Sequence, residues 1–197
     1  MFPEFPELTE VQREQLQKHR DLLLRWNQKL NLISERTETE LIERHYYESL
    51  FLGRHLPRTP LKIADVGSGA GFPGFVVAVQ HPEFEMSLIE SHQRKAVFLR
   101  EVSRDVPNIK VLAKRAEDVQ ERFEWVISRA VRYHEIRSAM QKLAPHAALL
   151  TGDVTPEDLV GFLWQEPIRL PWGDRRFLYV SRETEEQPTK KQHERCQ

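Results

Sequence analysis

The chain is poor in several things, and each scarcity closes off a class of function. It has one cysteine, Cys196, the penultimate residue in a polar tail. A lone thiol there forms no internal disulfide and no cysteine metal cluster, and as a nucleophile it is far in sequence from any ligand crevice. No apolar run approaches the roughly eighteen residues needed to cross a membrane. The opening Met1-Phe-Pro-Glu-Phe-Pro-Glu lacks the basic-then-apolar order of a secretory leader. A cytoplasmic protein with no membrane partner is the expectation. Basic excess is also missing: 29 Lys and Arg stand against 30 Asp and Glu, a formal charge of −1. Freestanding nucleic-acid binders usually carry a strong positive bias, so either the substrate is small or any RNA contact relies on a local patch.

What is present centres on Leu61-Lys-Ile-Ala-Asp-Val-Gly-Ser-Gly-Ala-Gly-Phe-Pro-Gly74. Its first half has the apolar, β-favouring character of a buried strand. Gly67, Gly69, Gly71 and Gly74 follow, then Phe75-Val-Val-Ala-Val79, a short apolar helix with Pro73 at its start. Glycines let a ligand lie directly against the main chain. Strand, glycine turn and helix N-terminus together predict a nucleotide-type cofactor site. The letters from Gly69 fit the dinucleotide pattern GxGxxG, which is weak alone. Asp65 tips the balance. A pyrophosphate is repelled by a carboxylate, whereas the sulfonium and α-ammonium of S-adenosylmethionine (SAM) are attracted to one. A second acid, Glu90, closes the next strand, Glu85-Met-Ser-Leu-Ile-Glu90, at 90 − 65 = 25 positions further on. There it would accept hydrogen bonds from ribose hydroxyls, in either cofactor.

Residues 10–31 show apolar residues at helical spacing (Leu16, Leu23, Trp26, Leu30) with basic residues between them. Residues 37–52 predict a second helix opened by a Thr37/Glu40 capping box. His45, Glu48 and Ser49 share one of its faces, a set that one helix cannot arrange as a catalytic triad, and a hydrogen-bonded helix contact is the expectation. A third helix is expected behind a Ser91 cap. Strands follow at 108–113 and 123–128, a helix at 132–143 and a strand at 146–152, then a helix opened by Thr155-Pro156 and a hairpin over 168–181 turning at 172–175. The loop after the third strand should pass the adenine edge, with Ala116 allowing close approach and Glu117 adding polar contact. Ser128 and Arg129 should face the ligand crevice from the fourth strand. Arg129 there is either a tie to a loop carboxylate or a clamp on substrate, and the clamp is the favoured reading.

The alternation of strands and helices predicts an α/β Rossmann-like fold with a mostly parallel, seven-stranded sheet flanked by helices. Residues 1–57 are read as an N-terminal helical extension, 58–182 as the cofactor domain, and 183–197 as a polar, disordered tail. No Pro-Pro loop follows the fourth strand, so exocyclic-amine methylation lacks its usual device. A ring nitrogen with an exposed lone pair needs neither that loop nor a cysteine. A metabolite methyltransferase and an NAD-dependent oxidoreductase stay open as alternatives.

Taken together, Trp26-Asn27, Asn31-Leu32, His45 with Glu48-Ser49-Leu50, the 65–74 elbow, Leu88-Ile-Glu-Ser91, Lys95 with Phe98-Leu99, Arg115-Ala-Glu117 and Ser128-Arg-Ala-Val131 are ordered as in one family. The chain resembles, from about residue 20 to residue 182, the glucose-inhibited division protein B family of small-subunit rRNA guanine-N7 methyltransferases. That resemblance implies SAM-dependent methylation of N7 of guanine 527 in 16S rRNA. The partner it implies is 16S rRNA; the near-neutral charge points to that RNA within the small ribosomal subunit or an assembly intermediate, and a monomer is expected. Gly67, Phe72, Ala116, Glu117 and Arg129 would lie at or beside the cofactor, with Arg115 and Arg132 helping to hold RNA. No metal is expected. Two positions depart from the family's pattern: Glu48 stands where aspartate is usual, and Lys142-Leu-Ala-Pro-His-Ala-Ala replaces a Pro-Gly-Gly turn.

Overall fold

The computed structural model describes residues 2–34, 40–129, 132–152, 159–172 and 175–182. The Thr37 half of the expected capping box, Ala130-Val131, the Thr155-Pro156 helix start and the 183–197 tail lie outside the described residues.

Seven strands form one sheet: β1 (Lys62–Val66), β2 (Glu85–Ile89), β3 (Ile109–Leu112), β4 (Trp125–Arg129), β5 (His146–Thr151), β6 (Ile168–Arg169) and β7 (Phe177–Val180). Their order across the sheet is β3-β2-β1-β4-β5-β7-β6. The first five are parallel, and β7 returns antiparallel between β5 and β6. The order reverses between β1 and β4, and ligands bind over the carboxyl ends of strands at such a switch point.

Side chains alternate along each strand, so the sheet divides the apolar residues into two cores. Ile63, Met86, Leu88, Trp125, Ile127, Leu150 and Leu178 share one face with α1 (Glu10–Leu30), α2 (Glu48–Arg54), α3 (Gly74–Gln80) and α4 (Gln93–Val102). Ala64, Val66, Ile89, Val126 and Leu149 meet α5 (Tyr133–Leu143) on the other. By this parity Asp65, Glu90, Arg129 and Arg176 all belong to the face carrying α1 and α2.

The α1 helix opens at Thr9, whose hydroxyl accepts from the Gln12 N–H while the Gln12 side chain accepts from the Thr9 N–H. It closes at Asn31, which takes the left-handed conformation with φ 47°. Leu16, His19 and Leu23 are its buried residues. Ahead of it, Phe2 and Phe5 are fully buried, and the Arg13 guanidinium donates to the carbonyls of Phe2, Phe5 and Leu8. Three carbonyls gathered on one cation satisfy a turn that has no ladder of its own.

Two expected details are corrected. The helix after β2 begins at Gln93 with no side-chain cap, because the His92 N–H donates to Glu90 Oε1 at 2.7 Å and Ser91 is not needed. The segment read as one α-helix over 37–52 has a π-helical stretch, Ile42–Tyr47, running into α2. Residues 45–50 are all buried, wedged between the sheet and α1, which a simple amphipathic α-helix does not allow.

Candidate active site

β1 delivers Asp65 and Val66 to the switch point, where the chain turns through Gly67 (φ 74°), Gly69 (φ 54°) and Gly71 (φ 91°). The turn is held by the Gly67 and Ser68 N–H groups donating to the Ile89 carbonyl at 3.0 and 3.2 Å. At Gly71 conformation and space agree: a Cβ would lie 3.0 Å from His19 Nε2 and 3.1 Å from Phe75 Cβ. At Gly74 the reason is space alone, since a Cβ would fall 2.5 Å from Leu88 Cδ2 and 2.6 Å from Asp65. Glycine there lets α3 sit directly on β1 and β2. The Phe72–Pro73 peptide is cis.

Both predicted carboxylates are at this elbow. Glu90 Oε2 accepts from the Gly69 N–H at 3.0 Å, so the glycine turn is strapped to the end of β2. Asp65 is fully buried, and its Oδ2 accepts from the Gly74 N–H at 3.1 Å. Oδ1 has no partner. Burial pushes the Asp65 carboxyl up to about 7, against the pull of its hydrogen bonds, and the neighbouring Glu90 adds to the rise. Asp65 thus caps α3 with one oxygen and keeps a second buried acceptor unmatched. The cap and the charge partner, weighed as alternatives from sequence, coexist in one side chain.

Ala116 opens a 3₁₀ turn, Ala116–Asp118, behind β3, and it is buried. Glu117 beside it is exposed, with its carbonyl accepting from Lys142 Nζ at 2.8 Å. Both lie after the carboxyl end of β3, the neighbour of the strand that leads to Glu90.

At the end of β4, Arg129 makes the carboxylate tie that was weighed against a substrate clamp. Its Nε donates to Glu48 Oε2 at 3.0 Å and its Nη2 to the Arg44 carbonyl at 2.8 Å. Arg176 approaches the same carboxylate with Nε at 3.0 Å from Oε1 and Nη2 at 2.7 Å from Oε2. Strand pairing explains the meeting. Arg129 is opposite Leu150, and Leu150 is opposite Leu178, two residues beyond Arg176 on the same face. Glu48 therefore sits above β5 between two guanidiniums and is wholly buried. Burial lowers the Arg129 pKa and the Glu48 charge works against that fall. Arg129 is a tie between sheet and helix.

His45 and Ser49 complete the cluster. The Ser49 hydroxyl donates to the His45 carbonyl at 2.5 Å, while the His45 ring packs on Phe72 with centroids 4.8 Å apart. Neither ring nitrogen of His45 has a hydrogen-bond partner. Burial drives its pKa down to about 2, with Arg129, Arg44 and Arg176 pushing the same way.

Sequence reasoning missed His19. Its Nε2 lies 2.8 Å from the Ala70 carbonyl inside the glycine elbow, and its Nδ1 lies 2.5 Å from the Tyr46 hydroxyl. A carbonyl only accepts, so Nε2 carries the proton and Nδ1 accepts from Tyr46. Burial lowers its pKa to about 4. The available signal was position: His19 falls between Leu16 and Leu23 on the inward face of α1, a polar residue where the stripe calls for an apolar one.

Among the described residues no group of three or more His, Cys, Asp or Glu side chains is placed to hold a metal ion. No helix there is long and apolar enough to cross a membrane.

Comparison with known proteins agrees with this geometry. A solved structure of a mutant MtNAS in complex with S-adenosylmethionine superposes with a TM-score of 0.56 at 15% identity, over 87% of this chain and 73% of that one. A SAM-dependent O-methyltransferase from Thermotoga maritima gives 0.57 at 11% identity, over 71% of this chain and 67% of that one. At such identities these likenesses carry the fold, a Rossmann-like sheet of the methyltransferase type. In sequence, the ribosomal RNA small subunit methyltransferase G of Chromobacterium violaceum is 39% identical over 128 residues, which is 63% of this chain and 61% of the relative. The protein of the same name from Chloroflexus aggregans is 36% identical, with 56% of its length covered. That from Streptococcus equi subsp. zooepidemicus is 27% identical over 93% of this chain and 88% of its own length. The chain thus matches under two thirds of the first two relatives. The GidB family model, described as rRNA small subunit methyltransferase G, matches residues 12–150. With most of its length matched by that model, the chain belongs to the GidB family.

Proposed function

We propose that the protein is a SAM-dependent methyltransferase acting on N7 of guanine 527 in the RNA of the small ribosomal subunit. One observation carries the cofactor half of the reading: a glycine elbow flanked by two carboxylates, one of them buried with an unmatched oxygen. Asp65 Oδ1 is suited to a cationic ligand, since an ammonium or sulfonium nearby favours the ionised carboxylate that burial alone disfavours. Glu90, fixed by Gly69 and His92, is suited to ribose hydroxyls. Gly67, Gly69, Gly71 and Phe72 would line the donor side, and Ala116 and Glu117 the adenine side. NAD fits less well, because its pyrophosphate would lie against Asp65.

When bound, SAM supplies a methyl group that guanine N7 takes on its exposed lone pair, as the carbon–sulfur electrons pass to sulfur and no proton leaves. The chain's share is therefore alignment and field rather than acid–base work. Arg129 acts as a positioning residue through Glu48 and the α2 helix, and Arg115 and Arg132 are the cations offered to RNA.

Chemical cleavage at N7-methylguanine, mapped in rRNA from cells with and without the gene, tests the reading. Loss of one cleavage in the small-subunit rRNA of the deleted strain supports it, and an unchanged pattern overturns it. A metabolite methyltransferase is the second reading, favoured by the absence of basic excess. Turnover of SAM with small subunits against a panel of metabolites separates the two.

A further inference from the structure

The functional reading leaves His45 unused, and His45 is the most anomalous polar group in the described fold. It is 5% exposed, and both ring nitrogens lack partners. Buried polar groups are nearly always paired, and an exception asks for a cause. Backbone geometry holds it in place: it lies in the π-helical stretch Ile42–Tyr47, its carbonyl accepts from Ser49, and its ring rests on Phe72. π-Helical turns recur at functional sites.

Its location narrows the cause. Phe72 belongs to the elbow that would hold the methyl donor, whereas Glu48, three residues on from His45, takes Arg129 from the end of β4. His45 stands between the donor loop and the β4 end, over the crevice where open α/β sheets take their ligands. We propose that His45 is a positioning residue for the acceptor base, its free ring nitrogens hydrogen-bonding the edge of the purine ring. This rests on the methyl-transfer reading above. A neutral imidazole offers one donor and one acceptor, and a guanine edge offers a carbonyl acceptor and N–H donors to match. Burial, with the three guanidiniums around His45 acting the same way, keeps it unprotonated. It therefore adds no positive charge against a ring that becomes cationic when N7 is methylated.

The test uses His45→Phe, which keeps a planar ring and removes both unmatched nitrogens, and His45→Gln, which keeps a donor and an acceptor. Three quantities are measured: melting temperature, SAM affinity by calorimetry, and methyl transfer to small ribosomal subunits. His45→Phe should melt at or above wild type, bind SAM within twofold of wild type, and lose tenfold or more in kcat/KM for the subunit. His45→Gln should recover part of that loss. Transfer by His45→Phe within twofold of wild type overturns the proposal. So does a parallel fall in SAM affinity, which would put His45 on the cofactor, or a much lower melting temperature, which would mark a structural histidine. If the wild-type protein binds SAM but methylates no guanine N7 in subunits, the substrate reading itself fails and takes this inference with it.

Discussion

The unmatched oxygen of Asp65 has a pH signature. A carboxyl whose folded pKa is raised makes the folded state bind more protons than the unfolded chain. Its burden on stability is absent below the unfolded value near 4, grows as pH rises, and is complete above about 7. Asp65→Asn should therefore stabilise the fold at pH 8 by on the order of a few kcal/mol, raising the melting temperature there, and change it little at pH 4. Thermal melts at the two pH values check this. The same substitution should abolish calorimetric SAM binding. In the wild-type protein, SAM binding at pH 6.5 should release protons, visible as a buffer-dependent heat. The Glu48 cluster makes a different demand. Removing Glu48 strands one buried and one partly buried guanidinium, and Glu48→Ala should cost about 3–5 kcal/mol in denaturant unfolding. Arg129→Ala leaves Arg176 on the carboxylate and should cost less, with the double variant well short of additive. The meeting of Asp65, Glu90 and the glycines at one elbow was legible in the sequence because it depends on local order. The partners of Arg129 were not, because Glu48 and Arg176 lie 81 residues before it and 47 after it (129 − 48 and 176 − 129) and meet only through strand register.

Among the elements, strands were the readable part and contacts between helices the opaque one. β1, β2, β4 and β5 fall within a residue or two of their apolar runs, since a strand buried on both faces must be continuously apolar. The π-helical stretch carries no such mark, because periodicity presumes 3.6 residues per turn and a wider turn simply reads as noise. The burial of Phe2 and Phe5 was equally hidden, as nothing local tells an apolar residue in an irregular arm from an exposed one. The helix–elbow contact through His19 has a functional consequence. His19→Ala removes the donor to the Ala70 carbonyl and the acceptor of the Tyr46 hydroxyl, and opens space beneath Gly71. It should cost about 2–4 kcal/mol of stability. SAM affinity should fall as well, although His19 would not touch SAM. Calorimetry at a temperature where the variant is fully folded separates the two effects, and unchanged affinity there would confine His19 to packing.

At the scale of the molecule, charge is the fact that constrains the partner most. The chain carries −1 overall, and three guanidiniums near the crevice are already occupied: Arg129 and Arg176 on Glu48, and Arg44 on Glu40. Those three add nothing to the displacement of counterions from RNA, which supplies most sequence-independent affinity. Arg115 and Arg132 are the candidates at the strand ends, and Arg132 is shared with Glu135 at 3.5 Å. Binding to naked 16S rRNA should therefore be weak and only mildly salt-sensitive, with a log–log slope of about 2 where a strongly basic binder shows 6 or more. A protein so equipped can still find one guanine if the surface around that guanine is already built, since a preorganised acceptor needs less electrostatic grip to align. Small subunits or assembly intermediates should accordingly be the better substrate, with KM at least tenfold below that for deproteinised RNA at about 0.15 M salt. Steady-state methyl transfer to the two acceptors across a salt series measures both quantities. Equal KM values, or a steep slope on naked RNA, would overturn this expectation.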